Sequence, residues 1–477
     1  MESTTTIEQK NRDVSPGNIH FEISERKILL RILDMVMVMF SLFLLGETTS
    51  FNFFRIDIDN FVWTLVLIAY LLVFAAVFEL YDLQKSNNMG VVTKNIILAS
   101  SVTVLCYILT PYYTPMLPTN RMEIIFFLLT IIFGFLFSRF FYLTFISSPR
   151  FYKRLLVIGD SRDTEEICSF LERTDPNYKV VAFYDTASIK NLHIQNSLNI
   201  PFLRLKELED RIIEWRISEV VVAARTDGGI TKDLNKELLR LMEKGVTIRD
   251  YVQVYEELMR RIPVQEVERD FYMYFPFSRS NNNKLYLLFS RILDMVLSLI
   301  GLAGGLLLLP LVLIGNLIGN RGPLFYQQSR VGKSGVPFKL YKFRSMVTDA
   351  EKNGAQFAQK GDSRITKFGR FLRLSRLDEV PQFINVIRGD MSIIGPRPER
   401  PEFVCTLAEK IPFYEVRHVV KPGITGWAQV NAKYGENEDD ALEKLQYDLY
   451  YIKHRSLFLD GSIILKTLST IVFFRGQ

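Results

Sequence analysis

Long apolar segments separated by short charged stretches dominate the first third of the chain. Four of them, at positions 29–46, 61–78, 95–113 and 124–142, approach the roughly 20 residues that a helix needs to cross a bilayer. Basic residues precede the first segment (Arg26, Lys27) and follow the fourth (Lys153, Arg154). Because cytoplasmic loops carry an excess of Lys and Arg, the pattern predicts a four-helix transmembrane bundle with both ends in the cytoplasm.

A fifth apolar run, 295–320, contains no charged residue but is basic on both flanks, with Lys284 and Arg291 before it and Arg321 after it. Pro310 lies near its middle, and a proline removes a backbone donor and bends a helix. If both flanks stay in the cytoplasm, the run must enter one leaflet, turn at Pro310 and return. We therefore predict a re-entrant hairpin broken at Pro310; a kinked spanning helix is the alternative.

Two further features concern charges at the membrane. The six residues RILDMV occur at 31–36 and again at 291–296, each time opening an apolar segment. Their Arg and Asp, one helical turn apart, fit the headgroup level, so we interpret the repeat as an interfacial anchor used twice. Arg139, inside the fourth segment, is interpreted as snorkelling toward the headgroups.

Between 150 and 280 the pattern changes to that of a soluble α/β domain. Short apolar runs at 155–158, 180–184, 220–224 and 246–248 alternate with helical patterns at 164–171, 206–215 and 232–244. This alternation predicts a parallel sheet. The segment VIGDS at 157–161 resembles the start of a dinucleotide-binding turn, but the second and third glycines are absent. We interpret the domain as a degenerate Rossmann-like fold with a structural or regulatory role.

Composition agrees with a membrane protein. Apolar residues make up 48% of the 477-residue chain, including 37 Phe and 21 Tyr. The net charge of +6 suits an anionic membrane surface or anionic substrates, and no basic run indicates nucleic acid. The three cysteines have no metal or disulfide spacing, and the first twenty residues lack a signal-peptide pattern.

Candidate chemistry is concentrated in the segment LDEVPQFINVIRGDMSIIGPRPERP at 377–401. Asp378 and Glu379 stand at the predicted start of a short helix, with Pro381 in its first turn. An apolar face follows at helical spacing, formed by Val380, Phe383, Ile384 and Ile387. A helix start favours a phosphate and the carboxylate that attacks it, whereas helix capping is the simpler alternative for such a pair. Basic clusters nearby, each equally compatible with membrane contact, together predict a phosphate site at the bilayer surface.

Five motifs carry a resemblance to a known family: YKFRSM, ITKFGRFLR, LDEVPQ, GDMSIIGPRP and KPGITG. The chain resembles the bacterial polyprenyl-phosphate hexose-1-phosphate transferases, specifically the large monotopic phosphoglycosyl transferases of the exopolysaccharide (colanic-acid) type. One departure is Leu309 before Pro310, where several small members have Ser. The resemblance implies a membrane α plus α/β fold with five parts: a polar tail (1–27), a four-helix transmembrane bundle (28–149), a degenerate Rossmann-like, CoA-binding-like domain (150–280), a re-entrant hairpin (281–321), and a mainly α-helical catalytic domain at the membrane surface (322–477).

The resemblance also implies roles for residues. Asp378 would attack the sugar-linked phosphorus of a UDP-sugar, and Glu379 would assist the second step or help to place Mg²⁺, so that both carboxylates are candidate metal ligands. The candidate substrate and phosphate contacts are Lys342, Arg344, Arg364, Lys367, Arg370, Arg397 and Asp448. The acceptor would be undecaprenyl phosphate in the bacterial inner membrane, with the soluble domains on the cytoplasmic side. The segment GITGWAQVN indicates glucose as the sugar, by analogy, and a homo-oligomer is left open.

Two other functions remain alternatives. A membrane-anchored nucleotide-sugar dehydratase or epimerase would need an intact glycine fingerprint and a Tyr-x-x-x-Lys pair, and neither occurs between 150 and 280. A non-enzymatic scaffold of polysaccharide export would not require Asp378 or Glu379.

Overall fold

The computed structural model of the chain describes residues 23–48, 51, 53–57, 59–81, 89–146, 153–159, 161–174, 178–186, 200–223, 230–266, 281, 283–320, 322–348, 350, 362–432 and 437–472. Two compact units make up the chain. The first consists of Met1–Ala75 and Leu80–Met259, and the second of Ala76–Glu79 and Arg260–Gln477.

The first unit begins with four apolar helices, as the sequence predicts. They are α1 (Ile23–Thr48), α2 (Phe61–Val77), α3 (Met89–Ile108) and α4 (Met122–Phe141), the last continued by a π-helix, Tyr142–Ile146. By length and composition, α1, α3 and α4 can each cross a membrane, while α2 is shorter, with 17 residues. Large apolar side chains such as Phe133 and Phe140 are more than half exposed on the helix surface. Such a surface is typical of helices that contact lipid.

Arg139 does not snorkel, so that prediction is wrong. Its side chain is 2% exposed, and its Nη2 donates to Asp34 Oδ2 at 3.1 Å and to the carbonyl of Leu80 at 2.8 Å. Ser138 donates to the other oxygen of Asp34 at 2.5 Å. Because the bundle supplies a countercharge, the guanidinium is stabilised inside it and does not need to reach the interface. The Asp of the first RILDMV copy is therefore a buried partner of α4 rather than a headgroup contact.

The rest of the first unit is a Rossmann-like domain built on a parallel sheet. Its elements are β1 (Lys153–Gly159), α5 (Ser161–Thr174), β2 (Tyr178–Asp185), α6 (Leu208–Glu214), β3 (Glu219–Ala223), α7 (Lys232–Glu243), β4 (Thr247–Asp250) and α8 (Tyr251–Met259). The strand order is β2-β1-β3-β4, and all three pairings are parallel. The sheet carries a hydrophobic core on each face, because β1 and β3 are apolar on both sides. The predicted alternation of strands and helices is confirmed.

The second unit contains one long apolar helix followed by short elements. They are α9 (Lys284–Gly315) with a π-helical continuation (Asn316–Asn320), β5 (Phe325–Val331), β6 (Pro337–Phe343), α10 (Lys367–Leu374), a 3₁₀ turn (Leu377–Glu379), α11 (Gln382–Arg388), β7 (Ser392–Ile394), α12 (Pro401–Lys410), a 3₁₀ turn (Tyr414–Val419), β8 (Gly423–Thr425), α13 (Trp427–Asn431), α14 (Glu438–His454) and α15 (Leu457–Val472). β5 pairs antiparallel with β6, and β7 pairs parallel with β8. The unit is mainly helical, as expected.

The predicted chain break at Pro310 is not found, because α9 stays helical through this residue. Packing on both sides of the proline stabilises the helix. Before it, Gly301 and Gly305 lie directly against Phe383 and Val380, with no room for a Cβ; after it, Gly315 lies in the same way against Phe368. These contacts offset the one backbone hydrogen bond that a proline removes.

Both ends of α9 form hydrogen bonds with other elements of the second unit. Near its start, the hydroxyl of Tyr286 donates to Asp460 at 2.7 Å, and Asp294 accepts from the hydroxyl of Ser392 at 2.9 Å. At its far end, Asn320 donates to the carbonyl of Arg344 at 2.6 Å. A helix that crossed a membrane straight would place these ends on opposite sides, where one water-soluble unit cannot contact both.

We therefore expect Asn281 and Arg321 to be accessible from the same, cytoplasmic side, although Arg321 lies outside the described residues. Single cysteines at these positions, in a chain without its native cysteines, would be labelled with a membrane-impermeant maleimide from each side. A cysteine at Met116, which is exposed between α3 and α4, is the control for external labelling. Labelling of positions 281 and 321 from opposite sides would rule out the shared location.

Candidate active site

The carboxylate pair lies in the 3₁₀ turn Leu377–Glu379, immediately before α11. Arg376 precedes the turn in the left-handed region, with φ 59°, a conformation that is strained for a residue with a side chain. Pro381 caps α11, and Gly389, with φ 92°, ends it. The predicted short helix is confirmed, and it starts just after the pair.

The apolar side of this segment faces the membrane helix. Val380 and Phe383 pack on the glycines of α9, as predicted for an apolar face. The opposite side of α11 is buried although it carries the polar residue Asn385. Asn385 accepts from the backbone N–H of Tyr341 at 3.1 Å and donates to the carbonyl of Lys339 at 2.8 Å, so it joins α11 to β6. Hydrophobic periodicity gives no sign of such a contact.

Glu379 is 7% exposed and is surrounded by three cations. Lys342 Nζ lies 3.5 Å from Oε1, Arg397 Nη2 lies 3.2 Å from the same oxygen, and Arg376 Nη1 lies 3.2 Å from Oε2. Burial opposes ionisation, but the charges of Arg397, Lys342 and Arg376 outweigh it and lower the pKa of Glu379 well below its usual range. Glu379 is therefore a fixed anion whose two oxygens are both occupied.

Asp378 has a different environment. It is 6% exposed and has no hydrogen-bond partner among the described residues. Burial, with the neighbouring charge of Glu379, raises the pKa of Asp378 to about 6, although Lys342 and Arg373 act in the opposite direction. At pH 7 the group is therefore mostly a carboxylate, more basic than an ordinary aspartate and free to contact a ligand.

Four basic residues interact electrostatically with the two carboxylates: Lys342, Arg373, Arg376 and Arg397. Lys342, on β6, is enclosed, and burial lowers its pKa. This excess of positive charge suits a diphosphate. Arg373 and Arg376 were missed at the sequence level. Both lie within five positions of Asp378 in the chain, and this proximity is the sequence signal that could have identified them. Arg373 lies in the last turn of α10, and its Nε donates to the hydroxyl of Ser345 at 3.0 Å.

Four other predicted phosphate contacts form no hydrogen bond or ion pair with Asp378 or Glu379 in the described part of the chain. Arg344 donates to the carbonyl of Pro323 at 2.9 Å and lies over the ring of Tyr326. Arg364 binds Asp362, with Nη2 at 2.6 Å from Oδ2, and this hydrogen bonding lowers the pKa of Asp362. Lys367 and Arg370 are exposed on α10. Arg and Lys side chains are long and can point in several directions. Which of them line a site depends on their burial and their partners, and a sequence motif contains neither.

Asp448, predicted as a substrate contact, lies apart from the carboxylate pair, bonded to a different partner. It is 1% exposed on α14 and accepts from Arg417 Nη2 at 2.8 Å. Burial raises the pKa of Asp448 to about 6 against the charge of Arg417. An enclosed carboxylate with a guanidinium partner is typical of a structural ion pair, so the substrate role of Asp448 stays a prediction.

Glycines bring the turn that carries Arg397 against the segment KPGITG. β7 and β8 pair here, and a Cβ at Gly395 would overlap the carbonyl of Lys421. Gly423 and Gly426 approach the backbone of Gly395 equally closely. These motif glycines permit the close approach of two backbones, which places Arg397 beside Glu379.

The residues present suit a metal that is bound mainly through its substrate. Among the described residues there is no group of three or more His, Cys, Asp or Glu side chains that could hold an ion. Mg²⁺ typically takes one or two carboxylates, with substrate phosphates and waters completing its shell. Asp378, whose carboxylate has no protein hydrogen bond, fits this arrangement; Glu379, held by three cations, is the less available of the two predicted ligands.

The chain is similar in sequence to a family of known proteins and to several of its characterised relatives. The bacterial sugar transferase family matches residues 285–474. A "UDP-N-acetylgalactosamine-undecaprenyl-phosphate N-acetylgalactosaminephosphotransferase" of Aeromonas hydrophila is 38% identical over 272 residues, which cover 54% of this chain and 63% of the relative. A "UDP-glucose:undecaprenyl-phosphate glucose-1-phosphate transferase" of Xanthomonas campestris pv. campestris is 46% identical over 177 residues, 36% of this chain and 37% of the relative.

Neither match reaches two thirds of the relative's own length. A protein of Caulobacter vibrioides with the same name as the Xanthomonas relative is matched more completely: it is 37% identical over 187 residues, which cover 38% of this chain and 69% of the relative. The matched family region includes all of α9 but its first residue, the carboxylate pair, the cations around it and the turn of Arg397. The chain therefore belongs to the bacterial sugar transferase family.

Proposed function

We propose that this protein transfers a sugar 1-phosphate from a UDP-sugar to undecaprenyl phosphate, with release of UMP. The observation that carries the proposal is the contrast between two adjacent buried carboxylates. Glu379 is neutralised by three cations, whereas Asp378 has no hydrogen-bond partner among the described residues and has a raised pKa. The names of the relatives, which carry out sugar-phosphate transfer to undecaprenyl phosphate, support it.

The reaction proceeds in two displacements at one phosphorus atom. Asp378 attacks the sugar-linked phosphorus of the UDP-sugar; a bond from the carboxylate oxygen to phosphorus forms, and the bond to the oxygen of UMP breaks. UMP leaves with the bonding electrons. A phosphate oxygen of undecaprenyl phosphate then attacks the same phosphorus, and Asp378 leaves as a carboxylate. The products are undecaprenyl-diphosphate-sugar and the regenerated enzyme.

The surrounding side chains act on charge. A diphosphate and a carboxylate repel each other, and Lys342, Arg373 and Arg397 offset that repulsion as the phosphorus is approached. Arg397 contacts the UDP side of the substrate, and Glu379 assists the second displacement. When bound, Mg²⁺ supplies further neutralisation of the diphosphate beside Asp378.

Location and sugar are also part of the proposal. The apolar helices and the membrane-associated acceptor point to the bacterial inner membrane, with the catalytic unit on the cytoplasmic side. There the reaction would be the first membrane step of exopolysaccharide, capsule or O-antigen synthesis. The segment GITGWAQVN leads us to propose glucose 1-phosphate as the transferred group. Because the relatives' names include both glucose and N-acetylgalactosamine, both sugars must be tested.

Purified protein with undecaprenyl phosphate and Mg²⁺ is expected to release UMP from one member of a UDP-sugar panel, with UDP-glucose first and UDP-N-acetylgalactosamine and UDP-galactose as its competitors. UMP release that depends on the lipid supports the transferase. Conversion of the UDP-sugar without UMP release would support the dehydratase or epimerase alternative. No reaction with any sugar, from folded protein, would favour the scaffold.

A further inference from the structure

In the turn that carries Arg397, residues 396–399, every backbone carbonyl accepts a hydrogen bond. The carbonyl of Pro396 accepts from the N–H of Gly423 at 2.9 Å, and that of Glu399 accepts from the N–H of Val331 at 2.9 Å. Between them, the carbonyl of Arg397 accepts from Arg417 Nη2 at 3.0 Å, and that of Pro398 accepts from Arg330 Nη1 at 3.0 Å. Four consecutive carbonyls are thus fixed from three separate parts of the chain.

The two arginines that reach this turn are themselves immobilised. Arg417 is 5% exposed; its Nη1 donates to the hydroxyl of Tyr414 at 2.6 Å, and its Nη2 is shared with Asp448 at 2.8 Å. Arg330 donates through Nε and Nη2 to Gln328 Oε1, at 3.0 and 2.6 Å, and has Glu399 nearby. A planar guanidinium can bind a carbonyl and a second partner in fixed directions, which a lysine cannot do.

The side chain of Arg397 is less enclosed than those of Arg330 and Arg417. It is 40% exposed, and only its guanidinium, at the end of a long side chain, contacts Glu379. A long side chain can only be placed accurately if its backbone is fixed, and small displacements near a reacting group are costly. Within the described part of the chain, neither Arg330 nor Arg417 forms a hydrogen bond or an ion pair with Asp378 or Glu379. Both bind the backbone carbonyls beside the Arg397 side chain.

We propose that Arg330 and Arg417 are positioning residues: they fix the carbonyls of Pro398 and Arg397 so that the Arg397 guanidinium lies against Glu379 and the substrate diphosphate. Asp448 takes part as the countercharge that orients Arg417. The inference rests on the proposed function for the identity of the substrate. The competing explanation is that the two arginines stabilise the unit only, independently of Arg397.

A double-mutant cycle with Arg397 separates the two explanations. We expect Arg330→Met to lower kcat/KM for the UDP-sugar by roughly 10- to 100-fold, mainly through KM, as a misplaced binding group does. In an Arg397→Ala background the same change should lower it by less than about twofold, because the group being positioned is gone. Arg417→Lys should behave in the same way, and Arg240→Met, at an exposed ion pair on α7, is the matched control.

Folding of the variants is checked by thermal unfolding. Arg417 and Asp448 form a buried ion pair, and breaking such a pair is destabilising. The kinetics of Arg417→Lys are therefore interpreted only if its unfolding temperature stays close to that of wild type. Arg330, whose acidic neighbour Glu399 is 21% exposed, provides the variant that keeps the test informative if Arg417→Lys does not fold. Equal losses with and without Arg397, or no loss for Arg330→Met, would overturn the positioning role.

Calorimetric binding of UDP to the same variants separates this inference from the proposed function. If wild type binds UDP but transfers nothing, the transferase proposal fails, and the positioning role stands if Arg330→Met weakens UDP binding only when Arg397 is present. If wild type neither transfers nor binds UDP, Arg397 has no such ligand, and both proposals are overturned.

Discussion

Replacing Asp378 by Asn is expected to abolish both covalent labelling and turnover. The substitution keeps the shape of the side chain but removes its negative charge, and an amide does not attack phosphorus. Asp378 is the carboxylate of the pair without a protein hydrogen bond among the described residues. Glu379, the other carboxylate, is held by three cations and is therefore not placed to take over its role. Because the two-step path begins with this group, the loss is expected to reach background, beyond the ~10²–10⁴-fold typical of a missing acid–base group.

The measurement is UMP release together with transfer of radiolabelled sugar phosphate to the protein. Asp439→Asn is the matched control, since Asp439 is an exposed aspartate in the first turn of α14 and should leave both readouts unchanged. The Asp378→Asn protein should unfold at a temperature equal to or above that of wild type, because the raised pKa of Asp378 means that its charge is unfavourable in the folded state. An Asp378→Asn protein that still turns over at a few per cent of wild type would exclude Asp378 as the nucleophile.

Replacing Glu379 by Gln is expected to reduce turnover by ~10²–10⁴-fold while leaving the KM for the UDP-sugar unchanged or lower. Glu379 has three cationic neighbours, Lys342, Arg376 and Arg397. Without the carboxylate these cations lose their internal anion and become available to the diphosphate, so substrate binding should not weaken. The first half-reaction should continue slowly, because Asp378 is intact.

Steady-state kinetics and single-turnover labelling of Glu379→Gln test this. Glu402→Gln, an exposed glutamate in the first turn of α12, is the control with the same chemical change. A large rise in KM with unchanged kcat would contradict the account, since it would make Glu379 a substrate contact rather than a participant in the second displacement.

The elements that the sequence predicted well are those set by local patterns. The apolar helices of the first unit and the alternating strands of the Rossmann-like domain follow from hydrophobic periodicity, which each segment carries by itself. The short helix after Asp378 and Glu379 was predicted for the same reason, from Pro381 in its first turn and the apolar residues at helical spacing that follow.

The elements that it missed depend on partners far away in the chain. Arg139 was predicted to snorkel because it lies inside an apolar segment, yet Asp34, 105 positions earlier, is its partner. Pro310 does not break α9, because Val380, Phe383 and Phe368 pack on the glycines around it. Tertiary contacts of this kind override local propensity.

In the candidate site, too, some residues were predicted from the sequence and others were missed. The candidate pair was chosen from its own motif, and two of its cations, Lys342 and Arg397, from motifs that lie 37 and 18 positions from Glu379. Arg373 and Arg376 were overlooked, and the enclosure of Asp448 was not foreseen, because the sequence does not show which side chains pack together in the fold. An acidic residue enclosed against Arg417 has the same sequence signature as one that faces a ligand.

Intact-protein mass spectrometry tests the central claim most directly. Wild-type protein is incubated with UDP-sugar and Mg²⁺ in the absence of any lipid acceptor, quenched and weighed, and the modified peptide is then sequenced. The account predicts an added mass equal to one sugar phosphate, located on Asp378, that disappears when undecaprenyl phosphate is added. No added mass, together with kinetics that require both substrates to be bound at once, would contradict it and replace covalent catalysis by direct attack of the lipid phosphate.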